Sequence, residues 1–442
     1  MRKYFTAFIA FALLAVVLTA ICLVNFKPID ALMKPPMTGG ENHKIQVAFE
    51  ESLDEGYKLR VPLSGTYRSA YISEDLNNDG QEEIVVLYST EDEVDIVKIS
   101  FMMKINNKWT VVSKLESNYS EVHQVKFADI DGDGVMEMLV GWTVFRNDLS
   151  RNLNVYSIPI DGSGNLESLY STPYLVFDTV DINSDGISDI ATFETSADGI
   201  NLSCNMLSDG AVTKKATIAL DASVYSINTL SYDNGAEDDG LRMYVDSYKI
   251  DSGMITECIC WDNTEEQFSK VKYGGASVLS SRLTGIACQD IDNDGNIEIP
   301  IEIQLKDSTL ISGVGANATG TQNLIKWVKL EDNGFSTVTH QLVYNNNDFG
   351  ITFNEKWLKN VTVINNYTNN SIRFYSTKDA EQTLLFELRY TSTQLEEDAL
   401  SNKFKFLTET NKGKLFYTVY NADIDLSINK IYIENTIVLY GV

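Results

Sequence analysis

A nine-residue pattern recurs along this chain and governs how it can fold. In Asp129-Ile-Asp-Gly-Asp-Gly-Val-Met-Glu137, acids stand at positions one, three, five and nine, with glycine at six. Further copies begin at Asp75, Asp181 and Asp290. Position three is Asn77, Asp131, Asn183 or Asp292, and position five is Asp79, Asp133, Asp185 or Asp294. Position nine is Glu83, Glu137, Asp189 or Glu298. Oxygen-bearing side chains at alternate positions of a short loop converge on one point, and the glycine permits the sharp turn that convergence requires. Such a set suits a hard cation, Ca²⁺ before Mg²⁺, since Mg²⁺ demands a small octahedral cage and gives up water reluctantly. The carbonyls of Gln81, Val135, Ile187 and Asn296 at position seven would add one oxygen each, and water would complete the shell. Asp, Asn and Gly also favour turns unaided. Four copies sharing an acid at position nine favour the cation. The Asp129 and Asp290 loops offer four carboxylates each and the others three plus an asparagine, so charge count ranks the first pair as the tighter binders.

An EF-hand loop lies between helices and closes with a bidentate glutamate at position twelve. Here each copy instead runs into an apolar, β-rich stretch: Ile84–Tyr88, Met138–Trp142, Ile190–Phe193 and Ile299–Ile303. The loops are therefore strand-to-strand connections, with position nine supplying the closing acid. In this they resemble the cation loops of FG-GAP/VCBS-type repeats, found in integrin α-subunit propellers and in bacterial surface proteins. First aspartates are separated by 54, 52 and 109 residues, the last close to two periods. The missing copy falls at Asp233-Asn-Gly-Ala-Glu-Asp-Asp-Gly240, acidic but with Gly235 at position three, and is expected to keep its structure without a formed cation site. A period near fifty holds about four strands, the content of a β-propeller blade. The expected fold is all-β: a propeller of about five four-stranded blades over 57–340, a β-rich C-terminal domain over 341–442, and a short helix in 41–56. Six or seven blades would need units without a marker, or strands lent by the C-terminal region.

At the N-terminus, Arg2 and Lys3 precede the uncharged stretch Tyr4 to Val24. Residues 1–24 read as a signal or anchor that exports the remainder of the chain. Leu18-Thr-Ala-Ile-Cys22 looks like a degraded lipobox, so lipidation at Cys22 and an uncleaved signal-anchor both stand; either tethers the chain outside the cytoplasmic membrane. Residues 25–40, with Lys34-Pro-Pro36 and Gly39-Gly40, read as a spacer. Ile45, Phe49 and Leu53 then give a helix one apolar stripe. Together with Thr66-Tyr-Arg-Ser-Ala70 and Phe349-Gly-Ile-Thr-Phe353, this layout resembles a group of Gram-positive surface lipoproteins with FG-GAP-like repeats. Trp357 reads as core rather than as a ligand platform.

With 62 acids against 35 bases, the formal charge is −27, which opposes nucleic acid and anionic lipid surfaces. Cys204, Cys258, Cys260 and Cys288 read as buried free thiols, and His43, His123 and His340 show no zinc spacing. No nucleophile elbow or phosphate loop is present, and the acids with obvious spacing are committed to the loops. The reading is a surface-tethered, calcium-binding propeller acting as a non-catalytic binding, adhesion or scaffold module, with a protein or carbohydrate ligand at the cell surface. Two other classes remain: an extracellular carbohydrate-active enzyme, glycosidase or lyase, needing paired acids in a pocket, and an assembly or sensor factor of an envelope complex.

Overall fold

A computed structural model of the chain describes residues 40–439 apart from 55, 145–149, 161, 163, 209, 235–239, 252, 312–317, 332–333, 345–347, 380, 424, 427 and 429. The N-terminal segment with Cys22 and nearly all of the spacer lie outside the described residues, as do Gly235 and the rest of the decayed loop's centre. No described helix is long and apolar enough to cross a membrane. Two compact units emerge, the first comprising 1–195 with 201–217 and the second 196–200 with 218–442.

In the first unit, three antiparallel sheets follow one another along the chain. The second of them is representative: Glu121–Ala128, Glu137–Thr143, Arg151–Ser157 and Glu167–Tyr174 pair in sequence order. Every residue of Glu137–Thr143 is buried, as a near-continuous apolar run predicts. Side chains alternate between faces along a strand. Met138, Val140 and Trp142 accordingly pack with Val85, Leu87 and Phe101 of the first sheet, while Leu139 packs with Phe177 and Ile190 of the third. Sheets stacked face to face in this manner are propeller blades, and the fold is all-β and propeller-type. The helix α1 (Glu41–Glu51) docks on the first blade through Ile45 and Phe49. It stops short of Leu53, where the Ser52 hydroxyl donates to the Phe49 carbonyl at 2.7 Å.

Within the second unit, the fourth blade pairs Val224–Asn234, Leu241–Lys249, Met254–Asp262 and Gln267–Lys270, with Val278–Arg282 added beside Met254–Asp262. The fifth begins with Glu298–Gln304, Asn323–Glu331 and Gly334–Tyr344. Strand pairing then crosses the expected boundary at 340. Phe349–Phe353 and Ile437–Leu439 extend the fifth blade, and Thr309–Ile311 and Ala318–Gly320 leave it to join a seven-stranded C-terminal sheet. Thr309–Ile311 pairs there in parallel with Val361–Asn366. The cause is long-range exchange of strands, which a loop pattern ending at Glu298 does not signal. Trp357 is fully buried among Phe353, Phe374 and Phe386, its Nε1 donating to the Leu426 carbonyl at 2.8 Å. The four body cysteines are free; Cys260 is half-buried and the other three are buried.

Candidate metal centres

The loops at Asp75, Asp129 and Asp181 each join two paired strands of one blade, while the Asp290 loop leads from the single bridge of Gln289 with Glu298 into Glu298–Gln304; all four are wound by the same backbone bonds. The position-one carboxylate accepts the N–H of the glycine at six: Gly80 to Asp75 at 2.9 Å, Gly134 to Asp129 at 3.0 Å, Gly186 to Asp181 at 2.9 Å and Gly295 to Asp290 at 2.9 Å. Oδ1 of Asn77, Asp131, Asn183 and Asp292 accepts the position-five N–H at 3.1, 3.0, 3.1 and 3.2 Å. Oδ1 of Asp79, Asp133, Asp185 and Asp294 accepts from Gln81, Val135, Ile187 and Asn296 at 2.8, 2.7, 2.9 and 2.9 Å. Position nine reaches back to position two: Glu83 accepts Leu76 N–H, Glu137 Ile130, Asp189 Ile182 and Glu298 Ile291, at 3.0, 3.1, 2.9 and 2.8 Å.

The winding needs two left-handed residues. The glycine at six has φ between 84° and 90°, and position four (Asn78, Gly132, Ser184, Asn293) also has positive φ, a requirement that its varied side chains conceal in the sequence. Gly132 has a further constraint, because a Cβ there would lie 2.7 Å from Cδ1 of Ile187 in the next loop. Loops are also joined by backbone: Met136 donates to the Leu76 carbonyl at 2.8 Å and Ser188 to that of Asp129 at 3.1 Å.

Position nine is the buried member, with Glu83, Glu137, Asp189 and Glu298 all at most 4% exposed. Burial pushes the carboxyls of Glu137, Asp189 and Glu298 up to about 7, against the pull of the position-two N–H and helped by the acids around them. Glu83 is raised for the same reason, as is Asp131. Oε1 of Glu298 is buried with no hydrogen-bond partner. A carboxylate held dry beside other acids is costly unless a cation joins it, so the donor sets, all hard oxygen, fit Ca²⁺. Asp129, Asp131 and Glu137 each bring an oxygen within 4.8 Å of the others, as do Asp290, Asp292 and Asp294. In the loops with asparagine at three, the amide instead donates to the position-five carboxylate, Asn77 to Asp79 at 3.4 Å and Asn183 to Asp185 at 2.8 Å. Lys329 lies 3.3 Å from Asp294 and neutralises part of that loop.

Similarity to known proteins is specific over one stretch, and it falls on these loops. The FG-GAP-like repeat family matches residues 75–140, which span the first two of them. That stretch is an FG-GAP-like repeat. No curated protein matches the chain. Among solved structures, the exotype rhamnogalacturonan lyase YesX is 12% identical with a TM-score of 0.31, over 64% of this chain and 56% of that one. A protein from Bacteroides uniformis described as a putative 6-phosphogluconolactonase is 11% identical with a TM-score of 0.34, over 73% of this chain and 86% of that one. This chain thus spans little more than half of the lyase, and similarity at these levels carries no argument about activity. Among the described residues, Ser157, Pro159, Gly164 and Glu167 line a surface depression of ≈ 280 Å³.

Proposed function

We propose that the chain is a surface-tethered propeller whose blades are stapled by Ca²⁺ and which acts as a non-catalytic binding or scaffold module of the envelope. The observation that supports the staple best is the buried acid at position nine of every loop, with Oε1 of Glu298 left unpartnered. Asp75, Asp79, Asp129, Asp131, Asp133, Asp181, Asp185, Asp290, Asp292 and Asp294, with Asn77 and Asn183, would hold the ions beside those acids. Each ion would neutralise a loop whose acids repel one another, so its binding energy adds to folding stability. The tether is the N-terminal stretch up to Val24, and the ligand is a protein or carbohydrate met outside the cytoplasmic membrane.

The test is a thermal melt of the full chain in Ca²⁺ and in excess EDTA. The melting temperature should fall on chelation and recover with Ca²⁺ better than with Mg²⁺. An unchanged melt, with no metal by elemental analysis, would remove the staple. Turnover of a polysaccharide by the purified chain would remove the non-catalytic half.

A further inference from the structure

The fourth blade lacks the loop pattern but not a cation. Asp233, where the decayed copy begins, has a fully buried side chain, and Arg242 Nε donates to its Oδ1 at 2.7 Å. Across the strand pair, Arg242 faces Asp233, position one of the decayed copy, whereas Glu83, Glu137 and Asp189 face Glu74, Ala128 and Val180, the residues just before position one. Position nine of the decayed copy is Leu241, and the arginine stands one residue further on, against the carboxylate of position one. Its Nη1 donates to the Leu330 carbonyl at 3.1 Å. The other oxygen of Asp233 accepts the N–H of Ile297 at 2.9 Å. Ile297 is position eight of the Asp290 loop, the amide that a main-chain carbonyl of the preceding loop holds at Met136 and Ser188.

A second pair completes the arrangement. Asp246 and Arg282 both have fully buried side chains, joined Nη2 to Oδ1 at 2.7 Å. Arg282 also donates to the Ile286 carbonyl at 2.6 Å, Thr256 Oγ1 at 2.8 Å and Ser280 Oγ at 3.2 Å. Asp246 Oδ2 accepts the N–H of Cys288 at 2.5 Å. Two buried aspartates, each neutralised by a guanidinium, thus grip the backbone at both ends of the Asp290 loop. A guanidinium keeps its charge at any ordinary pH and cannot be chelated away, and its fork suits a buried carboxylate better than an ammonium does.

We propose that Arg242 and Arg282 are resident cations that take the place of a bound metal in the fourth blade, and that through Asp233 and Asp246 they position the Asp290 loop for its own ion. The positioning half rests on the calcium reading of that loop, which the unpartnered Glu298 Oε1 supports separately.

The experiment compares the full chain with Arg242→Gln, Arg242→Lys, Asp233→Asn and the Asp233→Asn/Arg242→Gln double variant, each melted in Ca²⁺ and in excess EDTA and titrated with Ca²⁺ by calorimetry. Arg242→Gln should lower the melting temperature by about 10 °C in both conditions, the scale for stranding one member of a buried pair. Arg242→Lys should fall between it and the wild type, and Asp233→Asn should restore about half of the loss. The Ca²⁺ event that Asp290→Ala removes should weaken about tenfold in Arg242→Gln. Asp290→Ala is the contrast, its cost shrinking in EDTA to that of the lost Asp294 and Gly295 N–H bonds. Wild-type melting by Arg242→Gln, or strictly additive losses in the double variant, would overturn the resident cation. A loss of stability with unchanged Ca²⁺ affinity would overturn the positioning role alone. No Ca²⁺ uptake by the wild type would overturn the calcium reading and the positioning together, while the double-variant cycle would still decide the brace.

Discussion

At the scale of single residues, burial without a partner decides which changes matter. Glu298 is fully buried, and its carboxyl titrates near 7 instead of in the usual carboxylate range. In the metal-free chain its charge is a burden that grows as pH rises through that value; beside the proposed Ca²⁺ it would become a ligand. Glu298→Gln should therefore change sign with the metal: at pH 8 its melting temperature should match or exceed the wild type in EDTA and fall below it in Ca²⁺. A loss of equal size in both conditions would mean that the side chain is only packing. His123 gives a prediction free of metal. Its ring lies between Ser64 Oγ at 3.1 Å and the Tyr174 hydroxyl at 2.8 Å, and burial, with the Arg151 charge, pushes its pKa down to about 4. The unfolded chain takes up this proton first, near pH 6.5. The stability due to the neutral ring is thus complete above about 6.5 and is lost as pH falls toward 4. It amounts to roughly 1–2 kcal/mol once the ring's partial exposure is discounted. Denaturant unfolding of wild type and His123→Gln across that window should give curves that converge as pH falls; parallel curves would show that the ring does not titrate there.

At the scale of elements, α1 shows how little sequence a docking contact requires. Phe49 is fully buried and meets Tyr57, Tyr71 and Tyr88 edge-on, with ring centroids 5.1, 5.9 and 5.1 Å away. Phe49→Ala should cost about 3–5 kcal/mol in chemical unfolding of the first unit. Leu53→Ala, at a half-buried position past the helix end, should cost less, and equal costs would contradict the observed end at Glu51. The helix stripe was legible because its period is local. So were the strands after each loop, since a run such as Met138–Trp142 buried on both faces admits few other readings. The shared winding of the four acidic loops was legible because four copies repeat its residues. What the sequence hid depends on register and distance. Arg242 finds its ion-pair partner only because Asp233 pairs opposite it, and the Cys288 and Ile297 amides find their acceptors 42 and 64 residues away. The pairing across 340 was hidden for the same reason: Thr309–Ile311 pairs with a strand that begins at Val361, and neither carries a marker of the other.

At the scale of the whole molecule, the acidic loops are shared unequally. The first unit carries those at Asp75, Asp129 and Asp181, linked in series through Met136 and Ser188; the second carries the Asp290 loop, gripped by the two arginine-paired aspartates. One site at a hundred times its dissociation constant contributes about 2.7 kcal/mol. Three independent sites would then contribute about 8 kcal/mol to the first unit and one about 3 kcal/mol to the second, and coupling between neighbouring loops alters the first sum. The formal charge of −27 adds general repulsion to the metal-free chain, which simple salt screens without regard to loop geometry. Hydrogen exchange followed peptide by peptide reads each unit without requiring separate melts. On replacing Ca²⁺ by EDTA at fixed ionic strength, protection should fall most in the strands Glu83–Thr90, Glu137–Thr143 and Asp189–Ser196, less in Glu298–Gln304, and least in Leu241–Lys249, where the cation is an arginine. Added NaCl should slow exchange in all of them alike, while Ca²⁺ should restore the ranking. Equal loss across all five strands would show that chelation acts through charge alone, and would deny the loops their separate roles.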